Sequence, residues 1–493
     1  MTNPLYSPVV GLEVHAELLT HSKMFCGCAV VDSVTAEPNT SVCEICTGMP
    51  GTLPVINQRA VEYALRVALA LECSISKTSV FARKNYFYPD LPKGYQISQY
   101  ELPLATNGNL PIEVDGDQKI IRIRRVHLEE DTGKLDHRDG YSLVDYNRSG
   151  VPLLEIVSEP DLNSVEQVKA YATALRSLLR YLEVNSGDME KGVIRFEANV
   201  SVLAEGESEL GTRTEIKNLN SFRSMVRAIE YEIERQSSIL ASGGEVLQET
   251  LGWDESEAKT HPQRSKEEAH DYRYFPEPDL PPLELDDPWI ESIRSELPEL
   301  PYQKTERFVE DLGLSHYTAS VIAADKPIAE FFEAALKRSP SAPADKIANW
   351  ISTDLFALLN QSGVSIDQSR VSPEDMAAIA SLVADGEINS TSAKVVLEHI
   401  FKNGGSPHEV VAELELGLIQ DQETLLKSIR EIFASSPEQV ETYLSGKEGV
   451  SQWFFGQVMR VTGGRADPGT VQEILREELN HLKARQSEDS ADG

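Results

Sequence analysis

Apolar and polar residues alternate with period two along several short stretches of roughly the first 275 residues. In Val10-Gly11-Leu12-Glu13-Val14-His15, Leu12 and Val14 share one face of an extended chain, while Glu13 and His15 share the other. The stretch Ile194 to Val200 repeats the pattern, with Arg195, Glu197 and Asn199 between apolar residues. Arg125 to Asp131 puts His127 and Glu129 on one side, and Val151 to Val157 carries Glu155 inside an otherwise apolar run. Between these strands the spacing changes. Val61 to Leu71, and then Val165, Val168, Ala172, Leu175, Leu179 and Leu182, recur at helical intervals, which predicts helices packed on a sheet. The mixture reads as an α+β domain built on a largely antiparallel sheet.

Seven of the 26 prolines lie between Pro276 and Pro301, where neither a long helix nor a central strand persists. The first domain is therefore expected to span residues 1–292. Beyond it the pattern is helical, and LEHIFKN followed by GGSP ends a helix with glycines and forbids its continuation with proline. All-helical domains are expected over 293–405 and 406–493, the last ending in the polar segment RQSEDSADG.

Composition narrows the class. Hydrophobic residues at 41% and charged ones at 25% are globular proportions, and no apolar run approaches the roughly 18 residues of a membrane span. Lys plus Arg at 46 against Asp plus Glu at 79 leaves a net charge of −33, a field that disfavours nonspecific coating of a polyanion. One shape-matched RNA docked on a local basic patch stays compatible with it, because salt screens charge beyond about 8 Å. The opening MTNPLYSPVV has the character of neither a secretory signal nor an Arg-rich transit peptide, so a cytoplasmic location is expected.

Four of the five cysteines, Cys26, Cys28, Cys43 and Cys46, fall within 21 positions, too clustered for a disulfide framework. Two short thiolate hooks of this spacing close a tetrahedral Zn²⁺ site from one loop. Sulfur at all four positions leaves no place for water or substrate, so the expected role is structural. Cys73 reads as a core residue.

The carboxylate-bearing strands carry the second signal. A solvated sheet face explains any one of them, but Glu155, flanked by Leu153, Leu154, Ile156 and Val157, is costly to ionise unless a cation or donors meet it. Hard oxygen ligands with a histidine among them are the chemistry of a Mg²⁺ or Mn²⁺ site that grips nucleotide phosphates. Neither GxxxxGK[ST] nor GxGxxG is present, so an ATP site has to be assembled from sheet side chains and metals. Arg122, Arg124, Arg148, Arg195, Arg213, Lys217, Arg264 and Arg273 supply candidate cations. The run from Arg83 to Gln99 interleaves cations, aromatics and turn residues without periodicity, and reads as an ordered loop.

Several long stretches together resemble one family, the B subunit of the heterotrimeric aspartyl/glutamyl-tRNA amidotransferase. They are GLEVHAELLTHSKMFCGCAV, VCEICTGMPGTLPVIN, RKNYFYPDLPKGYQISQYE, RRVHLEEDTGKLDH, DYNRSGVPLLEIVSEPDL, GVIRFEANVSV, GTRTEIKNLNSF and RSKEEAHDYRYFPEPDLPPL. The resemblance implies a cradle domain similar to glutamine synthetase, in which ATP phosphorylates the side-chain carboxyl of Asp or Glu esterified to tRNA(Asn) or tRNA(Gln) and ammonia then displaces the phosphate. It implies two protein partners, an amidase that makes the ammonia and a small third protein that completes the heterotrimer. The implied cofactors are ATP, Mg²⁺ and a structural Zn²⁺.

Carried onto this sequence, the resemblance makes Glu13, His15, Glu129 and Glu155 the Mg²⁺ ligands, with Glu130 and Glu197 close by. Glu129, Glu155 and Arg195 become the catalytic residues. Arg195, Glu197, Asn199 and Lys217 are the expected substrate and phosphate contacts, and Lys84 and Tyr86 lie near the ammonia entrance. The sequence departs from the family's usual wording at Glu17, Leu251 and Gln263, where glutamine, arginine and methionine are common. Two rival readings remain: a stand-alone ligase using dissolved ammonia, and a noncatalytic tRNA-binding scaffold held by zinc.

Overall fold

The computed structural model describes residues 6–265, 272–339, 342–419 and 421–489. The side chain of Arg264, the side chains of residues 485–489 and residues 490–493, the end of the RQSEDSADG segment, lie outside them. The chain divides into two compact units, Met1–Gln303 and Lys304–Gly493.

The first unit is organised by a nine-stranded sheet. In chain order its strands are β1 (Tyr6–Glu17), β2 (Ser74–Ile75), β3 (Ala105–Val114), β4 (Asp117–Glu130), β5 (Pro152–Ser158), β6 (Ile194–Ala204), β7 (Thr214–Leu219), β8 (Glu249–Asp254) and β9 (Lys259–Ser265). Across the sheet they run β9-β8-β7-β6-β1-β5-β4-β3-β2. Every neighbouring pair is antiparallel except β7 and β8, which are parallel, so the sheet is mixed. The first strand in sequence lies centrally, between β5 and β6, so residues far apart in the chain become lateral neighbours.

Alternation along these strands separates two faces. Leu12, Val14, Val126, Leu128, Leu154, Ile156, Phe196, Ala198 and Ile216 are buried in one apolar core. Three helices complete it: α1 (Gln58–Ala70), α2 (Val165–Tyr181) and α3 (Phe222–Ala241), through residues such as Leu65, Leu175 and Ile229. Their starts are set by side chains that accept from otherwise unpaired backbone amides: Asn57, Ser164 and Ser221. Asn57 also donates to the Ser22 and Lys23 carbonyls, tying α1 to the segment that leads into the cysteines.

The run from Arg83 to Gln99, expected to be a loop, instead holds two antiparallel strands, Ala82–Asn85 and Tyr95–Ser98, joined by Phe275–Pro276 in a three-stranded sheet. Backbone pairing with a segment almost 200 residues away overrides the lack of local periodicity. Gln96 and Gln99 bind this small sheet to β4, Gln96 donating to the Glu130 carbonyl and Gln99 accepting from the Leu128 amide.

The first unit extends past residue 292, because helix Asp287–Ser295 and Leu300 pack into its core through Ile290 and Ile293. The proline-rich stretch is part of that unit's surface, and the chain passes to the second unit within helix Pro301–Glu310. Every regular element of the second unit among the described residues is helical. It holds two apolar clusters, one from Phe308 to Val410 and one from Leu425 to Leu479. No described helix is long and apolar enough to cross a membrane.

Candidate active site and metal centres

The face of the sheet opposite α1, α2 and α3 is polar and buried. Register places His15 of β1 opposite Glu155 of β5, and Glu155 opposite His127 of β4, so three titratable groups lie in a row across three strands. Glu13 stands opposite Glu197 of β6, and Asn199 opposite Gly11. Glu215 and Lys217 extend the row onto β7. This face forms the floor of a cleft of about 330 Å³. The small sheet and the segment before Phe275 supply its wall: Lys84, Gln99, Tyr100, Tyr272 and Tyr274. Tyr100 and Tyr274 stack at 4.1 Å, and the Lys84 ammonium sits 5.1 Å over the Tyr272 ring.

The carboxylates form two clusters. In the first, His15 Nε2 lies 3.4 Å from Glu155 Oε2 and 3.7 Å from Glu129 Oε1, and His127 Nε2 lies 3.3 Å from Glu155 Oε2. In the second, Glu13, Glu197 and Glu215 bring one oxygen each within 4.8 Å of the others. Asn199 Nδ2 donates to Glu13 Oε1 at 2.8 Å, while Lys217 Nζ lies 2.6 Å from Glu197 and 3.2 Å from Glu215. Glu13 and His15 belong to different clusters although two residues apart on one strand, so the single ligand set Glu13, His15, Glu129 and Glu155 expected from the sequence is divided in space.

Electrostatics show what each cluster lacks. Burial and then Glu155 push the Glu129 carboxyl above its usual range, and burial with Glu155, Glu197 and Glu215 does the same to Glu13. Burial also works against the charge of Glu155, yet His127 and His15 hold that carboxyl well below the usual range. Burial disfavours the His15 imidazolium too, but the hydrogen bond and charge of Glu155 raise it to about 9. Two like charges about 4 Å apart repel by roughly 1 kcal/mol in water and about 4 kcal/mol at the effective dielectric of a partly buried site. Such neighbours must take up a proton or share a cation. Two groups of hard oxygens, one including an imidazole, fit Mg²⁺ or Mn²⁺.

Other expected site residues are placed as follows. Arg195 leaves the phosphate-facing group and donates to Asp131 Oδ2 at 2.9 Å. Burial opposes the Asp131 charge, but Arg195 and Arg148 hold its carboxyl low. Glu17 joins this end of the face, where burial and Asp131 push its carboxyl up to about 8. Lys84 is held protonated against burial by Tyr274, Glu129 and Glu155, whereas burial raises the Tyr86 hydroxyl.

Glu130, expected beside the metal ligands, points away from the face that carries Glu129, as strand alternation requires. It accepts from the Ile97 amide and pairs with Lys93. Arg122 and Arg124 are held in exposed ion pairs with Asp161 and Glu159, so neither turns into the cleft. Leu251 is buried in the sheet and provides no basic contact there. Glu215 and His127 also line the cleft, and the sequence pattern assigned a role to neither. The period-two pattern of Glu215 and Lys217 in TEIKN is the signal that identifies the first.

Cys26, Cys28, Cys43 and Cys46 converge with all four Sγ atoms within 4.8 Å of one another. Zn–S bonds of about 2.3 Å give a tetrahedron with S···S edges of about 3.8 Å, and the Cys43–Cys46 separation is 3.9 Å. The residues fit zinc. The Cys26 hydrogen bond, the Cys43 amide and nearby Lys23 hold the Cys46 thiol down to about 4 against burial, the state a metal requires. Lys23 is fully buried, 3.6 Å from Cys46 Sγ and 3.1 Å from the Tyr146 carbonyl. Cys73 is buried apart from them, and burial pushes its thiol up to about 12.

A mixed sheet backed by helices, with paired carboxylate clusters and buried basic side chains on its open face, places the chain among α+β proteins with a highly charged cleft. Sequence comparison supplies the particular family. A family described as the GatB/GatE catalytic domain matches residues 8–291, and one described as a GatB domain matches residues 330–479. The B subunit of the aspartyl/glutamyl-tRNA(Asn/Gln) amidotransferase of Moorella thermoacetica is 51% identical over 478 residues, covering 96% of this chain and 100% of the relative. The proteins of the same name from Persephonella marina and Thermodesulfovibrio yellowstonii are 50% and 48% identical, covering 96% and 95% of this chain and 99% and 98% of their own lengths. The chain belongs to the family of amidotransferase B subunits.

Proposed function

We propose that the cleft is the site at which ATP activates the side-chain carboxyl of Asp or Glu carried on tRNA(Asn) or tRNA(Gln), and at which ammonia then forms the amide. The juxtaposition of the two carboxylate clusters on one sheet face carries this reading. A carboxylate is a poor acyl donor. One of its oxygens therefore attacks the γ-phosphorus of ATP, the bond to the β–γ bridging oxygen breaks, and ADP leaves. Ammonia then attacks the acyl carbon, inorganic phosphate leaves, and a proton is released as the amide forms.

Divalent metals bound by His15, Glu129 and Glu155, and by Glu13, Glu197 and Glu215, would supply charge neutralisation between phosphate and carboxylate. The protein side chains hold the geometry. His127 and His15 keep Glu155 ionised, Asn199 orients Glu13, and Lys217 balances Glu197 and Glu215. Arg195 stays ionised beside Asp131 at the edge of the face, and Lys84 and Tyr86 line the approach for ammonia. The cradle arrangement is similar to that of glutamine synthetase in this reading. The family's amidase and its small third protein are the partners, the four cysteines hold a structural zinc, and the helical tail domain 406–493 docks the tRNA in the cytoplasm.

The test is an amidation assay of this chain assembled with its amidase and small partner proteins on each mischarged tRNA, with ATP and Mg²⁺ omitted in turn. Amide formation that needs both supports the proposal. Glutamine-driven amidation by this chain alone would sink it, as would full turnover with Glu155→Gln.

A further inference from the structure

Behind the sheet, on the side away from the cleft, α3 carries a carboxylate in an otherwise apolar place. Glu232 and Gln236 lie one turn apart and are fully buried, on the same helix whose Ile229 and Ile233 enter the apolar core. Neither has a part in the scheme above. A buried carboxylate persists only where donors surround it, and here they come from separate elements. Thr214 of β7 donates to Glu232 Oε1 at 2.9 Å, Thr260 of β9 donates to Oε2 at 3.2 Å, and the Arg235 guanidinium reaches both oxygens. Arg235 also lies 3.7 Å from Glu249 of β8, while Gln236 Nε2 donates to the Val200 carbonyl of β6 and to the Thr214 hydroxyl, each at 3.0 Å. One turn of α3 thus reaches four successive strands, β6 to β9, and both of its buried polar side chains bond to Thr214.

Sheet pairing alone leaves the register of β7 open to a slip. Asn199 of β6 pairs with Glu215 and Ala198 with Ile216, but Phe196 pairs with Leu219, so a bulge with one more residue on β7 than on β6 lies between them. Continuing the Phe196–Leu219 pairing past that bulge would set Asn199 opposite Ile216. Because side chains alternate, this slip turns Glu215 and Lys217 into the apolar core and Ile216 into the cleft. It would also swing the Thr214 hydroxyl out of the core and away from Glu232. Apolar packing has little directional preference, whereas a buried hydrogen-bonded group is satisfied in one arrangement only, which is how such networks select a register.

We propose that Glu232, together with Gln236, is a positioning residue for the second carboxylate cluster: by holding the Thr214 hydroxyl in the core it fixes the register of β7 in which Glu215 and Lys217 face Glu13 and Glu197. The inference rests on the reading of the cleft as the reaction site.

Thr214→Val keeps shape and strand propensity and removes only the hydroxyl. Glu232→Met removes the carboxylate at similar volume, a change that buried ion pairs commonly tolerate. In the assembled enzyme both should raise the Mg²⁺ concentration for half-maximal carboxyl activation about tenfold, with the KM for aminoacyl-tRNA within about twofold, and Thr214→Ser should restore the unaltered value. Leu65→Ala, in α1 packed on β4 in the other half of the sheet, should leave that concentration unchanged. Hydrogen exchange on the full chain is independent of turnover: the amides of residues 214–219 should exchange at least about tenfold faster in Thr214→Val, with those of β5 unchanged. Unaltered exchange at 214–219 overturns the clamp. Faster exchange with an unaltered Mg²⁺ dependence, or an equal shift in Leu65→Ala, overturns the positioning role. An unaltered enzyme that needs no Mg²⁺ overturns instead the reading of the cleft, and the exchange measurement still decides whether α3 holds the register.

Discussion

Glu155 shows how much one side chain depends on its neighbours. It is buried, which alone would keep it neutral, and it is ionised because two imidazoles on adjacent strands face it. Glu155→Gln keeps the shape and removes the charge. We expect it to lower ATP-dependent carboxyl activation by about a hundredfold or more, with the Kd for tRNA changed less than about twofold; quenched-flow detection of ADP release and filter binding read the two quantities. Lys217 makes the opposite case. Replacing it by methionine leaves Glu197 and Glu215 without their cation, which costs roughly 1–3 kcal/mol. A thermal-shift titration should therefore give a lower Tm for Lys217→Met and a larger rise in Tm on adding Mg²⁺ than the unaltered chain shows. An equal Mg²⁺ response would mean that no cation binds beside Lys217.

At the scale of elements, the cysteine loop and the sheet have separate reasons to be ordered. Asn39 donates to Asp145 and to the Val144 carbonyl, Asn147 bonds to the backbone of Ser41 and Glu37, and the Met24 amide donates to the Gly150 carbonyl. The loop is thereby fixed to the turn that leads into β5. Cys46→Ser should abolish a zinc content of about one per chain and make residues 26–46 the first site of limited proteolysis, while the circular-dichroism signal of the sheet and α1 is retained. A chain that holds full zinc with serine at 46 would remove the four-thiolate site. A core change behaves differently: Leu65→Ala in α1, fully buried, is expected to cost about 2–5 kcal/mol in denaturant unfolding without altering metal content.

At the scale of the whole molecule, the two compact units have their own apolar cores. Residues 1–303 expressed alone should fold and bind Mg²⁺ with ATP as the full chain does, and lose affinity for tRNA; calorimetry against both ligands decides it. Within the helical unit, Lys304 and Arg307 hold the Glu333 carboxyl below its usual range against partial burial. A lowered folded-state value stabilises above the ordinary carboxylate range and ceases to do so as pH falls through the folded value. Glu333→Gln should therefore cost about 1 kcal/mol or less near neutral pH, an effect that vanishes in acid unfolding curves once pH has fallen below the lowered folded-state value.

Much of this architecture was legible along the chain. Period-two alternation identified β1, β4, β5 and β6 and told which residues face away from the core, because side-chain direction in a strand is a local property. The cysteine spacing identified a loop site for the same reason: four thiols on one short segment meet without help from the rest of the fold. The strands at Ala82–Asn85 and Tyr95–Ser98 were not legible, since they are defined by pairing with Phe275–Pro276 and not by their own pattern. Nor was the extent of the first unit, because the prolines that suggested its end are followed by a helix whose Ile290 and Ile293 return to its core.

The sequence by itself determined which side chains lie on the polar face, and that Glu155 needs a cation beside it. Only the tertiary structure decided which of them meet. Strand order is set by backbone pairing over more than a hundred residues, and it gives Glu13 and His15 different lateral neighbours, brings Glu215 in beside Glu13 and sends Arg195 to Asp131. Lateral neighbours across a sheet leave no periodic trace in the chain, so two carboxylate clusters became visible where the sequence suggested one ligand set.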